Sequence, residues 1–201
     1  MHGKITIGAV IPAAGLSSRM GSFKPLLQFG SGTVIEATVQ NTLPHADAVV
    51  TVLGKRADEL REILTKRFDD RLIITENPDY ASTDMFRSLQ IGLKALPECD
   101  AFFLIPADMP MISGSVFDAL TDSFISTDEV LIPTVGGRRG HPPLISSALI
   151  PDILAYGGEG GLRGFFDNCN VREIPVDDTG ALTDLDTPED YNKAQNKISR
   201  N

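Results

Sequence analysis

Apolar and polar positions along the 201-residue chain follow two alternating rhythms. Short apolar runs bounded by turn residues, at Ile5–Ala13, Ala48–Leu53, Leu72–Thr75, Ala101–Pro106 and Val130–Pro133, predict buried strands. Between them lie stretches with helical period. Ala57–Phe68 places Leu60, Leu64 and Phe68 on one face, Asp84–Leu96 does the same with Leu89, Leu93 and Leu96, and Val116, Leu120 and Phe124 mark a third helix. A last helix opens at Thr187-Pro188-Glu189-Asp190, with Thr as cap, Pro at the first helical position and acids in the first turn. Strands alternating with helices, with no internal repeat, predict an α/β fold: a Rossmann-like, mostly parallel sheet with helices on both faces. The length fits one domain over residues 1–201. From Gly136 to Gly164 the rhythm breaks into a Gly-, Pro- and Arg-rich stretch, read as a functional insertion at about 136–164. Open parallel sheets bind ligands beyond the carboxyl ends of their strands, which directs attention to the loops after Ala13 and Pro106.

Composition narrows the class of function. The net charge of −9 argues against long nucleic acids, which need basic surface to displace counterions. It does not argue against a single nucleotide, whose phosphates feel only nearby groups once salt has screened the rest over roughly 8–10 Å. No apolar run approaches the ~18 residues of a membrane span, and the start MHGKITIGAVIPAAG reads as a first strand rather than a signal peptide. Cys99 and Cys169 form no metal-ligand or CxxC pattern, so the simplest reading is a reducing cytoplasm. His2, His45 and His141 are scattered, which argues against a zinc site.

The loop after the first strand carries the chemistry. Pro12-Ala13-Ala14-Gly15-Leu16-Ser17-Ser18-Arg19-Met20-Gly21-Ser22-Phe23-Lys24-Pro25 combines small residues, which let backbone N–H groups approach phosphate oxygens, with the fixed charges of Arg19 and Lys24. It is neither a Walker loop nor a GxGxxG fingerprint. A flexible turn with two solvated cations is the plain alternative; the fixed order after one strand favours function. Asp108, beyond the strand Ala101–Pro106, and Asp186, just before the Thr187 cap, each admit an ordinary turn or cap role. As a pair they match magnesium, which takes one or two carboxylates plus substrate phosphates. Two unpaired carboxylates that close would repel and raise one pKa.

The block Ala-Ala-Gly-Leu-Ser-Ser-Arg-Met-Gly-Ser-Phe-Lys-Pro-Leu-Leu resembles the signature of nucleotidyltransferases of the molybdenum-cofactor type. The resemblance continues through Pro106-Ala107-Asp108-Met109-Pro110, Arg139-Gly140-His141-Pro142 and Thr183-Asp184-Leu185-Asp186-Thr187-Pro188-Glu189-Asp190, in order and over nearly the whole chain. It is strongest with the CTP:molybdopterin cytidylyltransferase branch. The wider superfamily includes sugar-nucleotide pyrophosphorylases and the methylerythritol-phosphate cytidylyltransferase.

The resemblance implies a nucleotide site at Ala13, Ala14, Gly15, Ser17, Ser18, Arg19, Lys24, Ser88, Pro106 and Ala107, with Arg19, Lys24, Asp108 and Asp186 catalytic. It implies Mg²⁺ on Asp108 and Asp186, with Asp177, Asp178 and Asp184 as weaker claimants, and an acceptor site at Arg139, His141 and Arg163, with less weight on Arg138. Met85 and Phe86 depart from the family's usual small residues. The implied reaction transfers CMP from CTP to a small phosphorylated acceptor, molybdopterin, with transient contact to a molybdenum enzyme. Pro-Ala-Ala-Gly at residues 12–15, where a guanosine-using branch typically carries Leu-Ala-Gly-Gly, favours CTP over GTP. Alternatives are a GTP, sugar-phosphate or methylerythritol-phosphate nucleotidyltransferase, and a non-catalytic molybdopterin carrier. The missing GxGxxG argues against a dinucleotide redox enzyme, and Ala14 and Gly15 argue against a phospho-receiver, which needs acids after its first strand.

Overall fold

The computed structural model describes residues 5–15 and 23–198. Its first strand, β1 (Ile7–Ala13), leads through the short hairpin β2 (Gln28–Phe29) and β3 (Gly32–Thr33) into α1 (Val34–Thr42). Then come β4 (Ala48–Leu53), α2 (Ala57–Arg67), β5 (Leu72–Glu76), α3 (Met85–Ala95), β6 (Ala101–Leu104) and α4 (Gly114–Ser123). The second part holds β7 (Val130–Val135), β8 (Arg138–Arg139), β9 (Leu144–Ser146), α5 (Ile150–Ala155), α6 (Gly161–Phe166), β10 (Val171–Pro175) and α7 (Pro188–Ile198).

The main sheet runs β10-β7-β9-β6-β1-β4-β5, with β8 appended to β7. Strands β1, β4, β5 and β6 pair in parallel, as do β7 and β10. Strand β9 is inverted and pairs antiparallel with both β6 and β7. The period-2 alternation of each strand feeds two cores. Ile7, Ala9, Ile11, Ala101, Phe103 and Leu131 pack on one face, whereas Val10, Val50, Val52, Phe102, Leu104 and Val130 pack on the other. Residues Leu60, Leu64, Val116, Phe117 and Leu120 of α2 and α4 join the first core; Phe86, Leu89, Leu93, Ile153 and Phe165 of α3, α5 and α6 join the second. The expected arrangement, a mostly parallel sheet with helices on both faces, is thus the one observed. Among the described residues no helix is long and apolar enough to cross a membrane.

Strand and helix ends differ from the sequence reading by one or two residues. Strand β6 stops at Leu104, short of Pro106, and β7 runs on to Val135. Helix α1 and strands β9 and β10 are additional elements. Segment 136–164 is not irregular: Gly136 and Gly137, both at positive φ, turn β7 into β8, and β9 and α5 follow. Strand β9 is only three residues long, and its Leu144 and Ile145 are completely buried, so it offers no alternation long enough to read. The last helix matches its sequence signal. Thr187 Oγ1 accepts from the Asp190 N–H at 3.2 Å, while the Asp190 carboxylate accepts from the Thr187 N–H at 3.2 Å.

Candidate active site

Strand order changes direction at β1: the chain passes from β1 outward to β4 and β5, then returns to place β6 on the other side. The loops after β1 and β6 therefore diverge at the carboxyl edge and leave a crevice. A cavity of about 390 Å³ fills it, lined by Pro12, Ala13, Ala14, Gly15, Lys24, Ser88, Pro106, Ala107 and Asp108, all named from the sequence. Pro25, Tyr80, Ala81, Thr83, Asp84 and Met85 complete the wall. Ser17, Ser18 and Arg19 lie outside the described residues.

Several contacts fix the crevice. Helix α1 holds the Pro106–Pro110 turn from below, where Thr38 Oγ1 donates to the Ala107 carbonyl at 3.1 Å and Asn41 Nδ2 to the Pro110 carbonyl at 2.6 Å. Gly54, just past β4, permits a close approach that no side chain would allow. A Cβ there would come within 2.8 Å of Ala14 Cα and Cβ and 2.7 Å of Tyr80 Cβ. The Leu185 N–H donates to the Asp108 carbonyl at 3.1 Å, tying the two aspartate loops together.

Lys24 occupies the junction. Its ammonium donates to Asp108 Oδ2 at 2.9 Å and Asp186 Oδ1 at 2.5 Å, and the residue is only 7% exposed. Burial alone would lower its pKa; the hydrogen bonds to Asp108 and Asp186, with their negative charge, outweigh burial and raise it. The fold thus brings both aspartates together, as expected, but not as an unpaired, repelling pair, since a cation already sits between them. The carboxyl whose pKa rises is that of Asp184, through burial first and then the charges of Asp186 and Asp108. Lys24 is thus buried in an ion cluster and is not the solvated cation of the plain alternative.

A second cavity, of about 170 Å³, opens on the far side of Asp108. Pro106, Asp108, Met109, Arg138, Arg139, Gly140, His141, Ala181, Leu182 and Asp184 line it. Because β9 runs opposite to its neighbours, the residues before it arrive at the carboxyl edge, which brings Gly140 and His141 to the site. The His141 N–H donates to the Ala181 carbonyl at 2.8 Å, and the His141–Pro142 peptide is cis. His141 Nδ1 is buried with no hydrogen-bond partner among the described residues. Burial lowers the His141 pKa, against the opposing pull of Asp108. Arg139 Nε donates to Glu173 Oε1 at 2.7 Å, whereas exposed Arg138 forms no ion pair among the described residues. Both arginines line the smaller cavity. Arg163 is exposed on α6 and lines neither cavity; α6 packs through Phe165 against Phe86 and Tyr156. Asp177 lines neither cavity, and Asp178 caps the Thr179–Leu182 turn by accepting from the Gly180 N–H.

The sequence reading reached the start of α3 at Thr83–Ser88 but missed the part of the loop after β5 just before it, whose Tyr80 and Ala81 also wall the cavity. The rule that ligands sit beyond strand ends would have found it had it been applied to Leu72–Thr75 as well.

Asp108 stands at both cavities, Lys24 beside it and Asp186 across from it. The arrangement can hold a polyanion in the larger cavity and present a second anion from the smaller one. Comparison with known proteins agrees. Residues 9–174 match the family model described as the MobA-like NTP transferase domain. The chain is 27% identical over 193 residues to the molybdenum cofactor cytidylyltransferase of Escherichia coli (strain K12), covering 96% of this chain and 97% of that one. It is 24% identical over 204 residues to a probable molybdenum cofactor guanylyltransferase of Bacillus cereus (strain G9842), covering 94% and 96%. A solved nucleotidyl transferase from Methanothermobacter thermautotroptrophicus superposes with a TM-score of 0.84 at 25% identity, over 98% of this chain and 99% of that one. With a crevice at the sheet's switch point and a family match over most of its length, the chain belongs to the MobA-like NTP transferase domain family and is a nucleotidyltransferase.

Proposed function

We propose that the protein transfers CMP from CTP to the phosphate of a molybdopterin-type acceptor and releases pyrophosphate. The observation that carries this reading is the Lys24–Asp108–Asp186 cluster, set where the two cavities meet. An oxygen of the acceptor phosphate attacks the α-phosphorus of CTP; the new P–O bond forms as the bond to the β-phosphate oxygen breaks. A phosphate monoester has a second pKa near about 6 and is already an anion at neutral pH, so no general base is needed. The obstacle is charge. Two unit charges ~4 Å apart interact by about 4 kcal/mol at an effective dielectric of ~20, which cations in the site must offset.

Lys24, with Arg19, supplies fixed positive charge to the triphosphate. Asp108 and Asp186 fit Mg²⁺: both carboxylates already converge on one cation, and magnesium uses few carboxylates when phosphates complete its shell. Bound there, the ion would neutralise phosphate charge. Arg138, Arg139 and His141 orient the acceptor, a buried neutral imidazole and a forked guanidinium together suiting a phosphorylated, heteroatom-rich molecule. The methyl of Ala14 and the Tyr80 wall narrow the base end and favour a pyrimidine. Pyrophosphate release, measured for four nucleoside triphosphates against several phosphorylated acceptors with Mg²⁺ or EDTA, tests the reading. The expected result is turnover only with metal, acceptor and CTP. Equal turnover of GTP would move the protein to the guanylyl-transferring reading, which relatives with that name support.

A further inference from the structure

The loop after β5 is organised by one buried side chain. Asn77 is 1% exposed, and its own N–H donates to the Leu53 carbonyl at 2.8 Å. Its side-chain Oδ1 accepts from the Asp79 backbone N–H at 3.1 Å. A backbone N–H can only donate, so that contact fixes which end of the amide is oxygen and turns the NH₂ toward the other side. There the two amide protons go to two hydroxyls, Thr83 Oγ1 at 2.9 Å and Ser88 Oγ at 3.1 Å. Thr83 in turn donates to the Asp79 carbonyl at 2.9 Å. Ser88 differs. It is 2% exposed and lines the larger cavity, and among the described residues Asn77 is its one side-chain hydrogen-bond partner. Thr42 and Thr65 return their hydroxyl protons to the carbonyl four residues back; Ser88 does not. Having accepted from Asn77, the Ser88 hydroxyl has a proton to give and no acceptor for it among the described residues.

We propose that Asn77 is a positioning residue for nucleotide selection: it fixes the Ser88 hydroxyl as a donor directed into the cavity, toward an acceptor atom on the base. This rests on reading the cavity as the nucleotide site. Strand order places the donor at the base rather than at the phosphates. Ser88 sits in the first turn of α3, which packs over β1, β4 and β5, and is reached from Asn77 at the end of β5, whereas Asp108 follows β6 on the opposite side of β1. A cytosine ring offers two neighbouring acceptors, O2 and N3, to such a donor.

The direction of the hydrogen bond can be reversed without changing shape. In Asn77→Asp the oxygen facing the Asp79 N–H stays, but the group facing Ser88 becomes an acceptor, and Ser88 turns its proton away from the ligand. The expected result is a rise in the CTP KM of about tenfold, the loss of one hydrogen bond, with kcat little changed. Lowering the pH protonates the introduced buried carboxyl, which can then donate again, so the variant-to-wild-type KM ratio falls toward unity. A merely structural defect has no such recovery. Ser82→Ala, which removes another hydrogen bond of the same loop at an exposed residue outside the cavity lining, leaves the CTP KM near the wild-type value. If Asn77→Asp does not fold, Asn77→Ala carries the test: its CTP KM rises, and that rise vanishes in the Ser88→Ala background. An unchanged KM in folded Asn77→Asp, or an equal rise in the Ser88→Ala background, overturns the proposal while the nucleotide site stands. A wild-type protein that neither binds nor turns over any nucleoside triphosphate overturns both.

Discussion

Replacing Lys24 with methionine keeps most of the side chain's bulk and removes its charge. Both carboxylates contact one nitrogen, at 2.9 and 2.5 Å, so their two oxygens can be no farther apart than those lengths combined. Without the ammonium, two negative charges at that separation repel by on the order of 3 kcal/mol at an effective dielectric of ~20. The aspartate side chains are 26% and 34% exposed, so water and salt screen part of this. A net destabilisation of about 1–2 kcal/mol follows, or a fall in Tm of roughly 2–8 °C for a chain of this size. Because the Lys24 pKa is raised in the fold, its contribution is complete below the unfolded pKa near 10.5 and disappears as pH rises through the folded value. The wild-type and Lys24→Met stabilities should therefore differ by a constant amount from pH 7 to 10 and converge above. Turnover should drop by about 10²–10³, the usual loss when a transition-state charge contact is removed. Mg²⁺ alone should raise the variant's Tm more than the wild type's, since the competing cation is gone. Denaturant unfolding and pyrophosphate release measure both effects. A variant as stable and as active as wild type would show that Lys24 is a bystander in this cluster.

Asp108→Asn and Asp186→Asn should each abolish metal-dependent turnover, read as pyrophosphate release across a Mg²⁺ titration; wild-type activity in either would remove that carboxylate from the metal site. Arg138→Ala and His141→Gln should raise the acceptor KM severalfold and leave the CTP KM near wild type, and a selective loss of CTP affinity would move the smaller cavity to the nucleotide's side. Gly54→Ala forces a Cβ against Ala14 and Tyr80, an overpacking worth about 1–3 kcal/mol, and should weaken GTP more than CTP in competition binding; equal weakening would contradict a size-limited base pocket. His141 is held neutral by burial, so its share of stability is present above the unfolded pKa near 6.5 and is lost as pH falls below it. His141→Gln should flatten the stability profile between pH 7 and 5, and an unaltered slope in denaturant unfolding would count against the buried neutral imidazole.

The local signals readable in the chain were those with long or repeated patterns. Five apolar runs located β1, β4, β5, β6 and β7, and the leucine spacing of α2 and α3 located the helices between them. Asp108 and Lys24 were legible because they sit in blocks of fixed order. What was not legible depends on pairing. Strand β9 is too short to show alternation and exists only because β6 and β7 flank it. The ion cluster joins residues from three distant loops, so no spacing could show that Lys24 bridges the two aspartates. The pairing of Arg139 with Glu173 of β10 is likewise invisible in the spacing of the chain. Asn77 looks like an ordinary turn residue until its burial and the direction of its hydrogen bonds are known.

The inverted strand also bears on how the protein is made. Every residue lining the larger cavity lies between Pro12 and Asp108, so a growing chain carries that half of the site well before β9 has been synthesised. Until then the outer edge of β6, which β9 will cover on the other side from β1, has no partner. Ribosomes add about 5–20 residues per second, so the edge stays open for some seconds while α4 and β7 emerge. Its four residues are all completely or almost completely buried in the finished protein, the type of edge that recruits other chains when left unpaired. Losses of yield on overproduction should therefore respond to elongation rate and to chaperones acting on this intermediate, more than to substitutions at the finished protein's surface.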